Sequence, residues 1–167
     1  GTWGKDYFIG GLGDDVFNGS AGGDVYNYAS GDGNDIINDG VGFADNVDVL
    51  RFADLSEVDL TFVTDGGDFK ITVAGPGQVV TVQDQFHVDD PYWGVDRIEF
   101  ADGKSWGLDQ ILEAVSIRGT AGNDNLVGTS SFDTIVGGAG DDQLQGNNDS
   151  DTFVFRTNFG HDTITDF

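Results

Sequence analysis

Ten aspartates recur in phase along this chain of 167 residues. Asp6, Asp15 and Asp24 stand nine residues apart, Asp35 follows after eleven, and a looser step leads to Asp48; Asp124, Asp133, Asp142, Asp151 and Asp162 run nine, nine, nine, eleven. Two residues before most of them stands a glycine, and two residues after each comes a bulky apolar residue: Phe8, Phe17, Tyr26, Ile37, Leu50, Leu126, Ile135, Leu144, Phe153 and Ile164. Short carboxylates held in glycine-rich turns suit a hard cation such as calcium, which takes six to eight oxygens at about 2.3 to 2.6 Å and tolerates irregular geometry. If two repeat units make one coil, the turn of one unit lies over the turn two units on, and their aspartates face one ion from two sides. The expected pairs are Asp6 with Asp24, Asp15 with Asp35, Asp24 with Asp48, Asp124 with Asp142, Asp133 with Asp151, and Asp142 with Asp162. An interior aspartate such as Asp24 or Asp142 then gives one oxygen to each of two ions, and the chain is expected to hold several, five or more.

The elements that must position these carboxylates follow from the unit itself, Gly-Gly-x-Gly-x-Asp-x-U-x with U large and apolar. Its first six residues turn tightly and in places need positive φ, which glycine adopts freely. Three residues then run extended with U inward and its neighbours outward. Coils of two such units give a flattened right-handed spiral of two parallel sheets, whose three-residue strands are stable only through their neighbours. A shift of 127 residues lays Gly10 to Asp15 on Gly137 to Asp142, Tyr26 and Tyr28 on Phe153 and Phe155, and Asp35 on Asp162, so the chain carries a duplication. Between the blocks, roughly Ala53 to Ser116, the glycine-aspartate rhythm lapses. Leu60 and Phe62, then Phe69, Ile71 and Val73, then Val80 and Val82 alternate with polar residues around Asp65-Gly66-Gly67-Asp68 and Pro76-Gly77, which are hairpin signals. Ile98, Phe100 and Trp106 around Asp102-Gly103 predict a further strand pair, and Leu108, Ile111, Leu112 and Val115 a short helix. The expected fold is all-β: two parallel β-roll blocks, 1–52 and 117–167, flanking a small antiparallel β module with one short helix over 53–116, the second block cut short within a longer tandem array.

Composition limits the function. Thirty acidic against seven basic residues give a formal charge of −23, and only Glu57, Glu99 and Glu113 among the acids are glutamates. That balance argues against nucleic acid and anionic membrane surfaces, which need Lys and Arg. With 13 Phe, 4 Tyr and 3 Trp the chain is nonetheless built to fold, provided something relieves the crowded charge. There is no cysteine, so any staple comes from oxygen ligands. No apolar run is long enough for a membrane span, and the first residues do not resemble a secretory signal, as expected of a segment taken from something longer.

Gly-Gly-Leu-Gly-Asp-Asp-Val-Phe-Asn (10 to 18) and Gly-Gly-Ala-Gly-Asp-Asp-Gln-Leu-Gln (137 to 145) resemble the haemolysin-type, or RTX, nonapeptide. The stretch from Asp54 to Val115, with Phe100-Ala101-Asp102-Gly103-Lys104 near its end, is similar to the module often found beside such repeats in large secreted bacterial proteins. The resemblance implies a calcium-filled parallel β-roll, export through a type I secretion machinery as part of a parent protein, and folding on meeting extracellular calcium. It also implies that backbone carbonyls at unit positions one to four join the ten aspartates as ligands. In this chain that points to Gly10, Gly11, Leu12, Gly13, Gly19, Ala21, Gly22, Gly33, Gly119, Gly122, Gly137, Gly138, Ala139, Gly140 and Gly160. Ser131 and Asp149 depart from the fourth-position glycine, and their turns are expected to be strained or weaker.

The remaining candidates read more plainly. His87 and His161 have no partner at a catalytic spacing, and Asp89-Asp90 reads as an exposed loop, so no enzyme activity is expected of the segment itself. Tyr92, Trp93 and Trp106 read as core, with sugar stacking as the rival use. Asp32, Asp39, Asp45 and Asp166 are out of phase and expected to be solvated or turn-closing, with an end-capping ion conceivable at Asp39 or Asp45. The outward seventh position is apolar in the first block (Tyr7, Val16, Val25, Ile36) and polar in the second (Asn125, Thr134, Gln143, Thr152, Thr163), which predicts a covered outer sheet on the first roll. The function expected is a calcium-dependent folding module of a secreted bacterial enzyme, toxin or adhesin. The alternative is a calcium-scaffolded binding module for polysaccharide or a surface.

Overall fold

A computed structural model describes residues 1–40, 46–86 and 93–166. The strands of the first block are β1 (Tyr7–Ile9), β2 (Val16–Asn18), β3 (Val25–Tyr28), β4 (Ile36–Asn38) and β5 (Val49–Phe52). After them come β6 (Leu60–Asp65), β7 (Asp68–Val73), β8 (Val79–Val82), β9 (Arg97–Glu99), β10 (Ser105–Gly107) and the helix α1 (Leu108–Val115). The second block has β11 (Ile117–Arg118), β12 (Asn125–Val127), β13 (Thr134–Val136), β14 (Gln143–Gln145), β15 (Thr152–Phe153) and β16 (Thr163–Ile164). The chain divides into two compact units, residues 1–63 with 67–111, and residues 64–66 with 112–167.

In the first unit, alternate repeat strands stack into two sheets, β1-β3-β5-β9-β10 and β2-β4-β8-β7-β6. The parallel register puts like on like, with Phe8 beside Tyr26, Tyr26 beside Leu50 and Leu50 beside Ile98 on one sheet, and Phe17, Ile37 and Val82 in line on the other. This is the inward ladder that the two-residue period requires, and Tyr26, Ile37, Leu50, Val82 and Ile98 are all buried. The outward Val25 and Val49 are buried as well, at 4% and 3% exposure, whereas Tyr7 and Val16 are exposed at 54% and 58%. The second unit repeats the plan with sheets β11-β13-β15 and β12-β14-β16. There Leu126, Leu144 and Ile164 stand in one ladder, and Ile117, Ile135 and Phe153 in the other.

The middle segment begins differently from its sequence reading. Its alternation suggests strands that pair only with one another, yet β8 lies parallel to β4 and β9 parallel to β5, so both sheets of the first roll run on into it. Antiparallel partners then follow, β7 beside β8 and β10 beside β9. Gly66 and Gly67, at φ +64° and +93°, make the turn between β6 and β7, with the positive values that a two-residue hairpin loop demands. Phe69, Ile71 and Val73 of β7 are fully buried. Trp106 packs against Phe62 and Phe100 with ring centroids 4.8 and 5.0 Å apart. No helix among the described residues is long and apolar enough to cross a membrane.

Candidate metal centre

Each phased aspartate ends a turn just before its strand, and seven of the ten stack on an aspartate of the next coil. The N–H of Asp6 donates to Asp24 Oδ1 at 2.7 Å, that of Asp15 to Asp35 Oδ1 at 3.0 Å, and that of Asp24 to Asp48 Oδ1 at 2.6 Å. The second block does the same from Asp124 to Asp142 (2.9 Å), Asp133 to Asp151 (3.0 Å) and Asp142 to Asp162 (3.1 Å). All six pairs expected from the phase are thus brought together. The ladder also has a member that the sequence reading missed, since the Asp48 N–H donates to Asp96 Oδ2 at 2.7 Å. Gly94-Val95-Asp96-Arg97-Ile98 keeps the fourth, sixth and eighth positions of a unit, which is the only signal by which it could have been found. A second ladder, also missed, runs along the fifth position. Asp14 Oδ1 accepts the Asn34 N–H and Asn34 Oδ1 that of Val79, while Asn123 Oδ1 accepts from Asp141 and Asp141 Oδ1 from His161.

The turns are of two kinds. Where threonine occupies the second position, its N–H and hydroxyl both donate to Oδ2 of the unit's own aspartate: Thr2 to Asp6 at 2.5 and 3.0 Å, Thr120 to Asp124 at 2.7 and 3.0 Å, Thr129 to Asp133 at 2.6 and 3.0 Å. The same hydroxyl accepts the fourth-position N–H of Gly4, Gly122 and Ser131. None of those three fourth-position residues has positive φ, so Ser131 sits in its turn without the strain its sequence suggested. In the other described turns positions two and four are left-handed: Gly11 and Gly13, Ser20 and Gly22, Gly31 and Gly33, Gly138 and Gly140, Asn147 and Asp149, Asn158 and Gly160. Asp149, at φ +65°, does carry the expected strain. In these turns Oδ2 of Asp15, Asp24 and Asp142 is buried with no hydrogen-bond partner, as is Oδ2 of Asp162.

The backbone around these oxygens is crowded. A Cβ on Gly137 would stand 2.5 Å from Asp142 Oδ2 and 3.3 Å from Asp162 Oδ2, so both oxygens border the same turn. First-position Gly10, Gly19 and Gly119 face Asp15, Asp24 and Asp124 in the same way. The carbonyls of Gly13, Gly122 and Gly140 lie against Gly33, Gly140 and Gly160 of the next coil, and those of Gly19 and Gly137 against Gly1 and Gly119. Ala21 and Gly22 are buried in their turn, Leu12 projects at 88% exposure, and Gly11 and Gly138 hold left-handed positions. The Ala139 N–H donates to the Thr120 carbonyl at 3.3 Å. The Gly33 carbonyl is already engaged, accepting the Tyr28 hydroxyl at 2.8 Å.

The electrostatics divide along the same line. The Thr2 N–H, the largest influence on it, holds the Asp6 carboxyl below the usual carboxylate value. Burial pushes Asp24, Asp35, Asp48 and Asp151 up, and neighbouring ladder carboxylates push in the same direction. Five of the basic side chains are engaged away from the ladders, Arg51 and Arg97 with Glu99, Lys104 with Glu57 and Asp102, Arg118 and Arg156 with Glu113. Buried carboxylate oxygens without a donor are costly unless a proton or a cation meets them. An all-oxygen set of carboxylates and turn carbonyls fits a hard cation of calcium's size and flexibility.

The other sequence candidates fall as follows. Asp32 closes a turn by accepting the Ala29 N–H at 2.8 Å, and Asp166 accepts from Gly146 and Asn147 at 2.9 and 2.6 Å. Asp39 corrects its expectation of a solvated or turn-closing residue, because it is only 2% exposed and its oxygens lie beside those of Asp24 and Asp48. His161 is exposed on the fifth-position ladder, and Trp106 belongs to an aromatic cluster. His87, Asp89, Asp90, Tyr92 and Asp45 lie outside the described residues.

Comparison with known families agrees with this geometry. Residues 1–33 and 118–153 match the RTX calcium-binding nonapeptide repeat (4 copies), and residues 68–110 match the haemolysin-type calcium binding protein related domain. No curated protein matches the chain. The matched repeat is a structural, calcium-binding β-roll element rather than a catalytic one. The chain therefore carries two stretches similar to RTX calcium-binding nonapeptide repeats on either side of one similar to a haemolysin-type calcium binding protein related domain.

Proposed function

We propose that this chain is a calcium-dependent folding module of a larger bacterial protein exported by a type I secretion machinery, and that the ten phased aspartates with their turn carbonyls are its ligands. The observation that carries the proposal is the set of buried, unpartnered Oδ2 atoms on Asp15, Asp24, Asp142 and Asp162 in a chain of formal charge −23. Three-residue strands do not offset stacked, desolvated carboxylates, so the metal-free chain is largely unfolded. Binding and folding are then a single event, as in other small metal-dependent domains. Extracellular calcium modules bind at about 0.1 to 1 mM. Such sites stay empty in a bacterial cytosol, leaving the chain extended for export, and fill outside. Bound calcium neutralises the ladder and ties successive coils. The segment 53–116 acts as a module that ends the first roll (1–52) ahead of the second (117–167). In support, β8 and β9 extend its sheets and are then met by antiparallel partners, which stop the spiral.

The test is circular dichroism through a calcium titration with a magnesium control. The β signal is expected to develop with calcium and to collapse on chelation, with magnesium a poor substitute because it demands strict octahedral geometry. A spectrum unchanged by chelator would refute the proposal.

A further inference from the structure

Asp39 stands four residues after Asp35, the place that Gly10, Gly19 and Gly137 hold after Asp6, Asp15 and Asp133 and where a Cβ meets the neighbouring carboxylates. Its side chain occupies that space. Asp24, Asp39 and Asp48 are 0%, 2% and 2% exposed, and one oxygen of each lies within 4.8 Å of the others. Asp39 Oδ2 accepts the buried Tyr26 hydroxyl at 2.7 Å, which fixes the carboxylate, while Asp39 Oδ1 and Asp24 Oδ2 are buried with no hydrogen-bond donor. Both groups converge on Gly19, where a Cβ would stand 2.8 Å from Asp24 Oδ2 and 2.9 Å from Asp39 Cγ. The second block provides an internal contrast. Asp166 holds the position matching Asp39, but Phe153 replaces Tyr26 and offers no hydroxyl, and the Asp166 carboxylate turns instead to the N–H groups of Gly146 and Asn147.

We propose that Asp24, Asp39 and Asp48, with Asp39 positioned by the Tyr26 hydroxyl, form an interior calcium site of three carboxylates, peculiar to the first block and distinct in make from the two-aspartate turn sites. Three carboxylates this close, shielded from water, supply the anionic part of a hard divalent cation's oxygen shell and leave backbone carbonyls to complete it. The proposal rests on the reading of the ladder as calcium ligands but adds a ligand outside the repeat phase.

Its test is the calcium content of the full chain after equilibrium dialysis, for wild type, Asp39→Asn, Asp166→Asn and Asp142→Asn, with dichroism to establish folding. Asp39→Asn is expected to lose one ion per chain and Asp166→Asn none. If Asp39→Asn folds and keeps its full complement while Asp142→Asn loses ions, the three-carboxylate site is wrong and the turn sites stand. If Asp142→Asn also loses nothing, the ladder reading itself fails. Crystals of the wild type grown with terbium cover the case in which Asp39→Asn does not fold. An anomalous peak among Asp24, Asp39 and Asp48 supports the site, and peaks in the turns with none there overturn it in favour of a shared proton.

Discussion

Replacing Asp142 by asparagine should act with opposite sign in calcium and in chelator. Asp142 is 1% exposed and has an aspartate on either side, its Oδ1 accepting the Asp124 N–H at 2.9 Å and its own N–H donating to Asp162 at 3.1 Å. Its Oδ2 is unpartnered. Asparagine keeps the shape and an oxygen for the Asp124 N–H while removing a buried charge, so metal-free folding is unharmed or eased. In calcium the balance reverses, because the side chain is shared by two proposed ion sites. A ligand at a hundredfold excess over Kd stabilises the fold by about 2.7 kcal/mol per site, so losing two sites costs about 5 kcal/mol. Asp124→Asn is the control, since within the chain Asp124 meets one ladder neighbour, and its Oδ2 is held by Thr120. It should lose about half as much in calcium, and in chelator it should gain nothing, because its amide oxygen can still take the Thr120 N–H and hydroxyl and no unpartnered buried oxygen is removed. Denaturant unfolding followed by dichroism in saturating calcium, with bound ions counted on the same samples, measures both. Equal losses of stability and of ions in the two variants would refute the sharing of Asp142.

Two further predictions concern the turns and the titration of the ladder. Thr129→Val removes a hydroxyl that donates to Asp133 Oδ2 and accepts the Ser131 N–H, and should cost about 1 to 2 kcal/mol without changing the number of ions bound; denaturation in calcium with ion counting checks it, and a lost ion would contradict the role given to threonine turns. In chelator the chain should become more folded as pH falls. Burial raises the folded-state carboxyls of Asp24, Asp35, Asp39, Asp48 and Asp151 above the ordinary 3.8. Over the window above 3.8 the folded chain therefore binds more protons than the unfolded one. This contribution is full below the unfolded value and is lost as pH rises through the folded ones. Asp6, held low by Thr2, opposes it only weakly as an exposed group. Dichroism in chelator at about pH 4 and about pH 8 is the check, and a fold favoured at the higher pH would contradict it.

The parts of this molecule that the sequence discloses are those in which one residue type repeats one job. The inward ladder from Phe8 through Tyr26 to Leu50 follows from the fixed offset of U behind aspartate, and the stacking of Asp6 on Asp24 or Asp142 on Asp162 follows from two units per coil. Gly66-Gly67 and the helical spacing from Leu108 were equally readable, because turn chemistry and a 3.6-residue period are local. What escaped depends on partners one coil away. Strand β9 joins β5 on the strength of a single Asp96, with no glycine run to announce it. Threonine at the second position looks like a tolerated exchange for glycine, yet it decides whether the carboxylate beside it is satisfied or left open.

Asp39 shows how far such dependence reaches. Asp39 and Asp166 sit at matching positions of the duplication, each with isoleucine two residues before it. Nothing in their flanking sequence predicts that one carboxylate is drawn inward and the other tied to backbone N–H groups. The deciding atom is the hydroxyl of Tyr26, thirteen residues away along the chain and absent from Phe153. One oxygen on a core aromatic thus selects whether a turn-closing acid becomes a third buried carboxylate. In a ladder where each carboxylate is already costly to bury, that choice changes which charge the site must accept: on the proposed reading two anionic groups are met by shared ions and turn amides, whereas three require a cation of their own or a proton.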